Sequence, residues 1–427
     1  MEIKDLHSLF LKCTSVSIDS RKIEPNSMFI AISGNHFNAN TFAQDALNKG
    51  ALYVIIDDKS FYLNEQTVYV ENTLKTLQEL AKFHRNYLKL PIIALTGSNG
   101  KTTTKELINV VLAKKFITKA TVGNLNNHIG VPLTLLSFNS ATEIGIVEMG
   151  ANHKKEIEFL CEIAQPNYGY VTNFGKAHLE GFGGIEGVIE GKSEIYLYLL
   201  KNNNLVFVNL EDPIQIEKSQ PLTSYTFGIN KVGADVNIIN VKANPFVELY
   251  CSSFTIKSNL LGLYNANNIS AAVTVGKYFG VTDSDIKDAL ESYIPANNRS
   301  QLIYKETNQI ILDAYNANPS SMKVAIENFL QLENQNKILI LGDMFELGIE
   351  SDVEHQAIIS MLADEDKINC YFIGLDFFTN KIKKDNFYFF ETFESFTNQV
   401  SHIKFSNSSV LIKGSRGMAL ERTLDFL

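Results

Sequence analysis

Short apolar runs recur along the chain, each followed by a polar or glycine-containing turn and then a helix-compatible stretch. Around Pro91 the pattern is most compact. Ile92 to Leu95 are apolar, Thr96 to Gly100 are turn-prone, and Lys101 through Leu112 suit a helix. Upstream, Ser15 to Ile18, Met28 to Ile32, Leu52 to Ile56 and Val68 to Val70 predict strands, and Thr41 to Lys49 and Thr73 to Leu88 predict helices. Downstream, Ile144 to Val147 reads as a buried strand, and a further strand ends near Thr172. Leu260 to Gly280 predicts a helix with Gly280 at its C-cap, and Thr282 with Asp285 opens the next, which Pro295 ends. From Asn297, the runs Ile310–Leu312, Ile338–Leu341, Tyr371–Ile373 and Val410–Ile412 each end in polar or glycine residues, as a doubly wound sheet requires. The expectation is an α/β protein of three units. Residues 1–90 form a small α/β domain, 91–296 a nucleotide-binding domain on a parallel sheet, and 297–427 a Rossmann-like domain.

A length of 427 residues exceeds one typical core, which agrees with that division. With 45% hydrophobic and 20% charged residues the composition is that of an ordinary globular enzyme, and the net charge of -9 argues against broad nucleic-acid binding. Cys13, Cys161, Cys251 and Cys370 are scattered without a CxxC pair, which suits reduced thiols in the cytoplasm. The N-terminal residues lack a signal-peptide core, and no apolar run is long enough to span a bilayer. A cytoplasmic monomer without membrane insertion is expected.

The chemistry concentrates at TGSNGKTTTKE, Thr96 to Glu106. Gly97 and Gly100 let the loop turn tightly and bring the N–H groups of Ser98, Asn99 and Thr103 towards anionic oxygens. Lys101 would then sit on the β- and γ-phosphates of a nucleotide, and the Thr102 hydroxyl on a magnesium ion. Leu95 stands where the usual P-loop has its first glycine, so this is a shortened variant. Asn124, Asn126, Asn127 and His128 crowd the loop at Gly123 to Leu136, which suits ligand contact or turns alike. Glu148, at the carboxyl end of its strand, could bind magnesium or pair a cation. The loop after Thr172 would bring His178 beside Glu148 if the two strands are neighbours. Lys192 cannot ligate magnesium as an ammonium; as a carbamate it could, and otherwise it would touch phosphate or Glu194.

These stretches, together with LYNANNISAA, NRSQ, DAYNANPSSM, LGDMFELG and KGSRGMALE, resemble the Mur ligase family over nearly the whole chain. The likeness is strongest to the branch that joins D-alanyl-D-alanine to UDP-N-acetylmuramoyl-tripeptide through an acyl phosphate. It implies that Lys101, Glu148, His178 and Lys192 serve catalysis, with Glu148, His178 and a carbamylated Lys192 joining Thr102 at the magnesium sites. It implies that Asn265 and Asn268 lie near adenine, and that Arg299 and Asp313 bring the third domain onto the nucleotide. Ser20, Arg21 and Asn35 would hold the UDP-sugar, while Asn126, Asn127, Asn316, Ser415 and Arg416 would meet the remaining substrate. The third domain is expected to close about the Ala296 to Arg299 linker after ATP binds.

Two departures from family patterns stand out. Asn38, Ala39 and Asn40 precede Phe42 where DGHxF is common, and DAYNANP replaces DDYAHNP, placing Asn316 and Asn318 at altered positions. A folylpolyglutamate-type or sister Mur enzyme is opposed by DAYNANP and by the missing DNPR motif. A non-catalytic nucleotide-binding protein is opposed by the joint presence of Lys101, Thr102, Glu148, His178 and Lys192.

Overall fold

In a computed structural model, residues 1–34, 37–295, 298–333, 336–400, 403 and 405–427 are described. Asn35 and the first half of the expected linker, Ala296 and Asn297, lie outside the described residues.

The chain builds three sheets in sequence order. The first holds β1 (Val16–Ser17), β2 (Met28–Ile30), β3 (Tyr53–Ile56) and β4 (Thr67–Tyr69), parallel and in that order. Its helix Thr73–Leu88 starts where the Asn72 side chain accepts from the Lys75 N–H, and it stops at Lys89, whose φ of 54° breaks the helical run. Leu77, Leu80 and Ala81 bury its apolar stripe. An unforeseen helix, Ile3–Phe10, packs beside it; it is amphipathic but short and uncapped by any side chain, so no start signal marks it in sequence. His7 donates from Nε2 to His84 Nδ1 at 3.0 Å, and His84 Nε2 donates to the Phe138 carbonyl at 2.9 Å, which joins the first unit to the second.

The second sheet contains β5 (Ile92–Thr96), β6 (Thr118–Ala120), β7 (Ile144–Glu148), β8 (Tyr168–Val171), β9 (Leu205–Asn209), β10 (Thr223–Ile229), β11 (Val236–Ala243), β12 (Phe246–Cys251) and β13 (Thr255–Leu261). Its order is β13-β12-β11-β10-β9-β8-β5-β7-β6, parallel from β6 to β11. The antiparallel arm β11–β12–β13 departs from the purely parallel expectation. Its first strand buries Val236 and Ile238 but exposes Asn237 and Ile239, the alternation of a sheet with one solvated face. Every residue of β5 is buried, so the loop that follows it leaves from the middle of the sheet.

The third sheet comprises β14 (Gln301–Lys305), β15 (Asn308–Asp313), β16 (Lys337–Gly342), β17 (Asn369–Ile373), β18 (Phe387–Phe390) and β19 (Ser409–Lys413). It runs β14-β15-β19-β16-β17-β18 and is parallel except for the antiparallel edge strand β14. The carboxyl ends of β15, β19 and β16 carry Asp313, Lys413 and Gly342 side by side. Among the described residues no helix is long and apolar enough to cross a membrane.

Candidate active site

A cavity of ≈ 970 Å³ lies between the second and third units, lined from one side by the loop after β5 and from the other by the carboxyl edge of the third sheet. The loop needs its two glycines. Gly97 has φ +139° and a Cβ there would fall 2.0 Å from Thr172 Oγ1, while Gly100 has φ +78° and a Cβ would fall 2.7 Å from Asn268 Oδ1. Asn173 takes the N–H groups of Ser98 and Asn99, through its carbonyl at 3.1 Å and its Oδ1 at 3.1 Å. The donors left to face the cavity are therefore those opening the helix Lys101–Leu112, where the helix dipole favours an anion.

Lys101 is folded onto its own loop, donating to the Gly97 carbonyl at 2.7 Å and the Ser98 carbonyl at 3.3 Å. Burial lowers its pKa, with Glu148 opposing and Arg299 reinforcing the shift. Thr102 is buried at the cavity wall, and Thr103 lines the cavity beside it. Glu148 is 1% exposed; its Oε1 accepts from Asn126 Nδ2 at 2.8 Å, whereas its Oε2 is buried without a partner. A buried carboxylate oxygen with an unused lone pair suits a cation.

His178 does not reach Glu148 as anticipated. β5 lies between β7 and β8, so the two strands are not neighbours, and the His178 Nδ1 instead pairs with Glu346 from the third unit. Lys192 is 1% exposed and donates to the Ala151 carbonyl at 3.0 Å beneath the Phe182 ring. It makes no direct bond with Glu194, whose carboxylate accepts from the Lys155 and Glu158 N–H groups at a helix start. Burial, reinforced by Lys101, holds the Lys192 amine well below the usual lysine range. Such an amine is a nucleophile, which a carbamate requires.

Asn265 and Asn268 form a connected pair: Asn268 Nδ2 donates to Asn265 Oδ1 at 2.8 Å, and Thr104 Oγ1 donates to Asn268 Oδ1 at 3.0 Å. Arg299 stacks on the Tyr315 ring, 3.5 Å from its centroid, with its Nε buried and unpartnered. Asp313 accepts from the Ser300 N–H at 3.0 Å and from Lys413 Nζ at 2.5 Å. Asn316 and Arg416 line the cavity, while Ser415 is buried and accepts the Phe345 N–H at 2.9 Å. Asn127 also lines it, but its Oδ1 is occupied by the N–H groups of Ile129 and Gly130. Ser20 and Arg21 are outside the cavity in the first unit, where Arg21 pairs with Asp19 at 2.9 Å.

Several contacts across the cleft have no counterpart in the sequence reading. Asn318 Nδ2 donates to Asn99 Oδ1 at 2.7 Å, joining the third unit to the phosphate loop, and Lys176 pairs with the buried Glu354 at 2.5 Å. Asn318 also caps the helix Pro319–Leu330. Its cross-cleft partner depends on the packing of two sheets. One acidic cluster, Asp343, His355 and Asp376, has metal-like spacing but is otherwise engaged. Asp343 accepts from the Asp376 and Phe377 N–H groups, and both His355 nitrogens are bonded, one to Met344 N–H and one to the Ser351 carbonyl.

Sequence models of three domains match this chain: the Mur ligase middle domain over 95–276, the Mur ligase glutamate ligase domain over 298–416, and the Mur ligase family catalytic domain over 12–86. The UDP-N-acetylmuramoyl-tripeptide–D-alanyl-D-alanine ligase of Bacillus subtilis is 34% identical, with 95% of this chain and 91% of that protein covered. The chain belongs to the Mur ligase family. This Mur ligase also superposes on the MurF crystal structure from Acinetobacter baumannii with a TM-score of 0.85 at 29% identity, covering 99% of this chain and 97% of that one. A MurF ligase from Thermotoga maritima, solved in complex with ADP, gives a TM-score of 0.84 at 28% identity over 98% of this chain and 97% of that one.

Proposed function

We propose that this Mur ligase couples ATP cleavage to ADP with amide formation between UDP-N-acetylmuramoyl-tripeptide and D-alanyl-D-alanine, in peptidoglycan precursor synthesis. The observation that carries the reading is likeness over nearly the full length to ligases of that name, at 34% identity in one case, together with a phosphate loop facing the cleft between two units. A carboxylate resists attack by an amine because its leaving group would be oxide. Transfer of the γ-phosphoryl group makes an acyl phosphate, the dipeptide amine attacks its carbonyl, and phosphate departs.

Bound magnesium would neutralise charge between triphosphate and carboxylate. Thr102 and the free oxygen of Glu148 are suited to hold it, with His178 on the same cavity wall. The Lys192 amine, whose burial disfavours the charged form, would attack carbon dioxide, lose a proton, and present a carbamate carboxylate towards that centre. Lys101 would exchange the Gly97 and Ser98 carbonyls for the β- and γ-phosphates. Gly97, Ser98, Asn99, Gly100 and Thr103 shape the cradle, and Asn265, Asn268, Arg299 and Asp313 would hold the nucleoside end. Asn316, Ser415 and Arg416 would face the dipeptide, Asn126 and Asn127 the acyl substrate, and Ser20, Arg21 and Asn35 the UDP group.

Phosphate release from magnesium-ATP tests the reading. It should require both UDP-N-acetylmuramoyl-tripeptide and D-alanyl-D-alanine, supplied with either lysine or diaminopimelate as third residue, and should yield a pentapeptide product by mass. Silence with both tripeptides, from protein that binds ATP, would overturn it.

A further inference from the structure

One buried cation has no part in the chemistry described so far. Lys105 stands one helical turn beyond Lys101, yet its side chain is only 1% exposed. An unpaired ammonium in such a place is strongly unfavourable, and an apolar residue would pack there more cheaply. Its Nζ donates to the Thr121 carbonyl at 2.6 Å and pairs with Glu106 at 2.6 Å. Thr121 is the residue that follows β6, and all three of its polar groups are engaged. Its N–H donates to the Ile146 carbonyl at 2.9 Å, and its Oγ1 accepts the Glu148 N–H at 3.0 Å. The same loop then supplies Asn126, which holds Glu148 Oε1 at 2.8 Å and leaves Oε2 free.

We propose that Lys105 is a positioning residue for the cation-binding carboxylate: through Thr121 it fixes the loop that aims the free oxygen of Glu148. The inference rests on the reading of Glu148 as a magnesium carboxylate. The phosphate helix and Glu148 are thereby registered to each other, so that phosphate and cation arrive at one spacing. Removing the Lys105 nitrogen leaves nucleotide contacts intact but lets the loop, and with it the carboxylate, relax. Partners that orient metal ligands commonly change metal affinity about 10- to 100-fold.

The test is manganese binding to the full chain in the presence of ADP, followed by electron paramagnetic resonance, alongside ADP affinity measured with a chelator present. Lys105→Met is expected to weaken manganese binding by about tenfold and to leave chelator-insensitive ADP affinity unchanged, which a merely loosened fold would not do. Glu148→Gln is measured beside it and is expected to weaken manganese at least as much. Wild-type manganese affinity in Lys105→Met, with weakened binding in Glu148→Gln, overturns the role of Lys105 alone. Wild-type affinity in both overturns the role of Glu148 and this inference with it. If Lys105→Met does not fold, Lys105→Gln, which is too short to keep the bond to the Thr121 carbonyl, decides: the same selective loss supports the proposal, and unchanged affinity overturns it.

Discussion

Lys192 shows how one residue's surroundings can change its chemistry. Its nitrogen meets a single carbonyl and an aromatic face, and the Glu194 carboxylate nearby is committed to a helix start. Lys192→Ala is expected to lower turnover by about 100-fold without loss of helical signal, with partial recovery on adding short-chain carboxylic acids. Turnover near wild type would exclude an essential role. The histidine pair makes a second prediction. His7 is lowered to about 4, first by burial and then by His84, so it folds neutral. The unfolded chain then binds the extra proton, and the stabilisation present above about pH 6.5 is lost as pH falls towards 4. That amounts to roughly 3 kcal/mol at most, and a thermal midpoint that does not decline between pH 7 and 5 would contradict it. The strand, loop and helix that carry Lys101 and Thr102 were legible because their pattern is local. The partners of His178, Lys105 and Asn318 were not, because Glu346, Thr121 and Asn99 arrive from distant strands and loops.

At the scale of elements, short apolar runs ending in polar residues located most strands, and the helix Thr73–Leu88 has the bounds its pattern predicts. The antiparallel arm β11–β13 escaped although its strands alternate buried and exposed positions, because it sits between runs that carry stronger motifs. Edge strand β14 escaped for a different reason: none of its residues is fully buried. The helix Thr73–Leu88 offers a direct test. Arg85 Nε and Nη2 donate at 3.0 Å to the carbonyls of Ala164 and Gln165, which close the helix Glu156–Ala164, and Nη2 donates to Asn167 Oδ1 at 3.0 Å. Arg85→Met should cost about 3 kcal/mol, read as a lower urea midpoint; an unchanged midpoint would show the clamp to be dispensable. Asn318→Ala should cost about 1 kcal/mol through its lost cap and should also loosen the phosphate loop, visible as faster amide exchange at Asn99.

For the whole molecule, the large cavity is bounded by polar contacts between the second and third units. Lys176 with Glu354 is an ion pair, His178 with Glu346 a hydrogen-bonded pair, and Asn99 with Asn318 an amide pair. Lys176 is half exposed, so its pair is worth up to about 1 kcal/mol and is weakened by salt. Lys176→Met should raise KM for the dipeptide up to about fivefold and flatten its dependence on ionic strength. An undiminished salt dependence would assign closure to the other contacts. The first two units are joined differently. The helix Thr73–Leu88 runs through only Lys89, Leu90 and Pro91 into β5, and His84 and Arg85 pin it to the second unit on the way. Were the UDP group held on the first unit, as proposed, that splint would make the pair a ruler. The span from sugar to phosphate loop would then be set by the two units, and a peptide stem one residue shorter would be expected to fall short of the cradle.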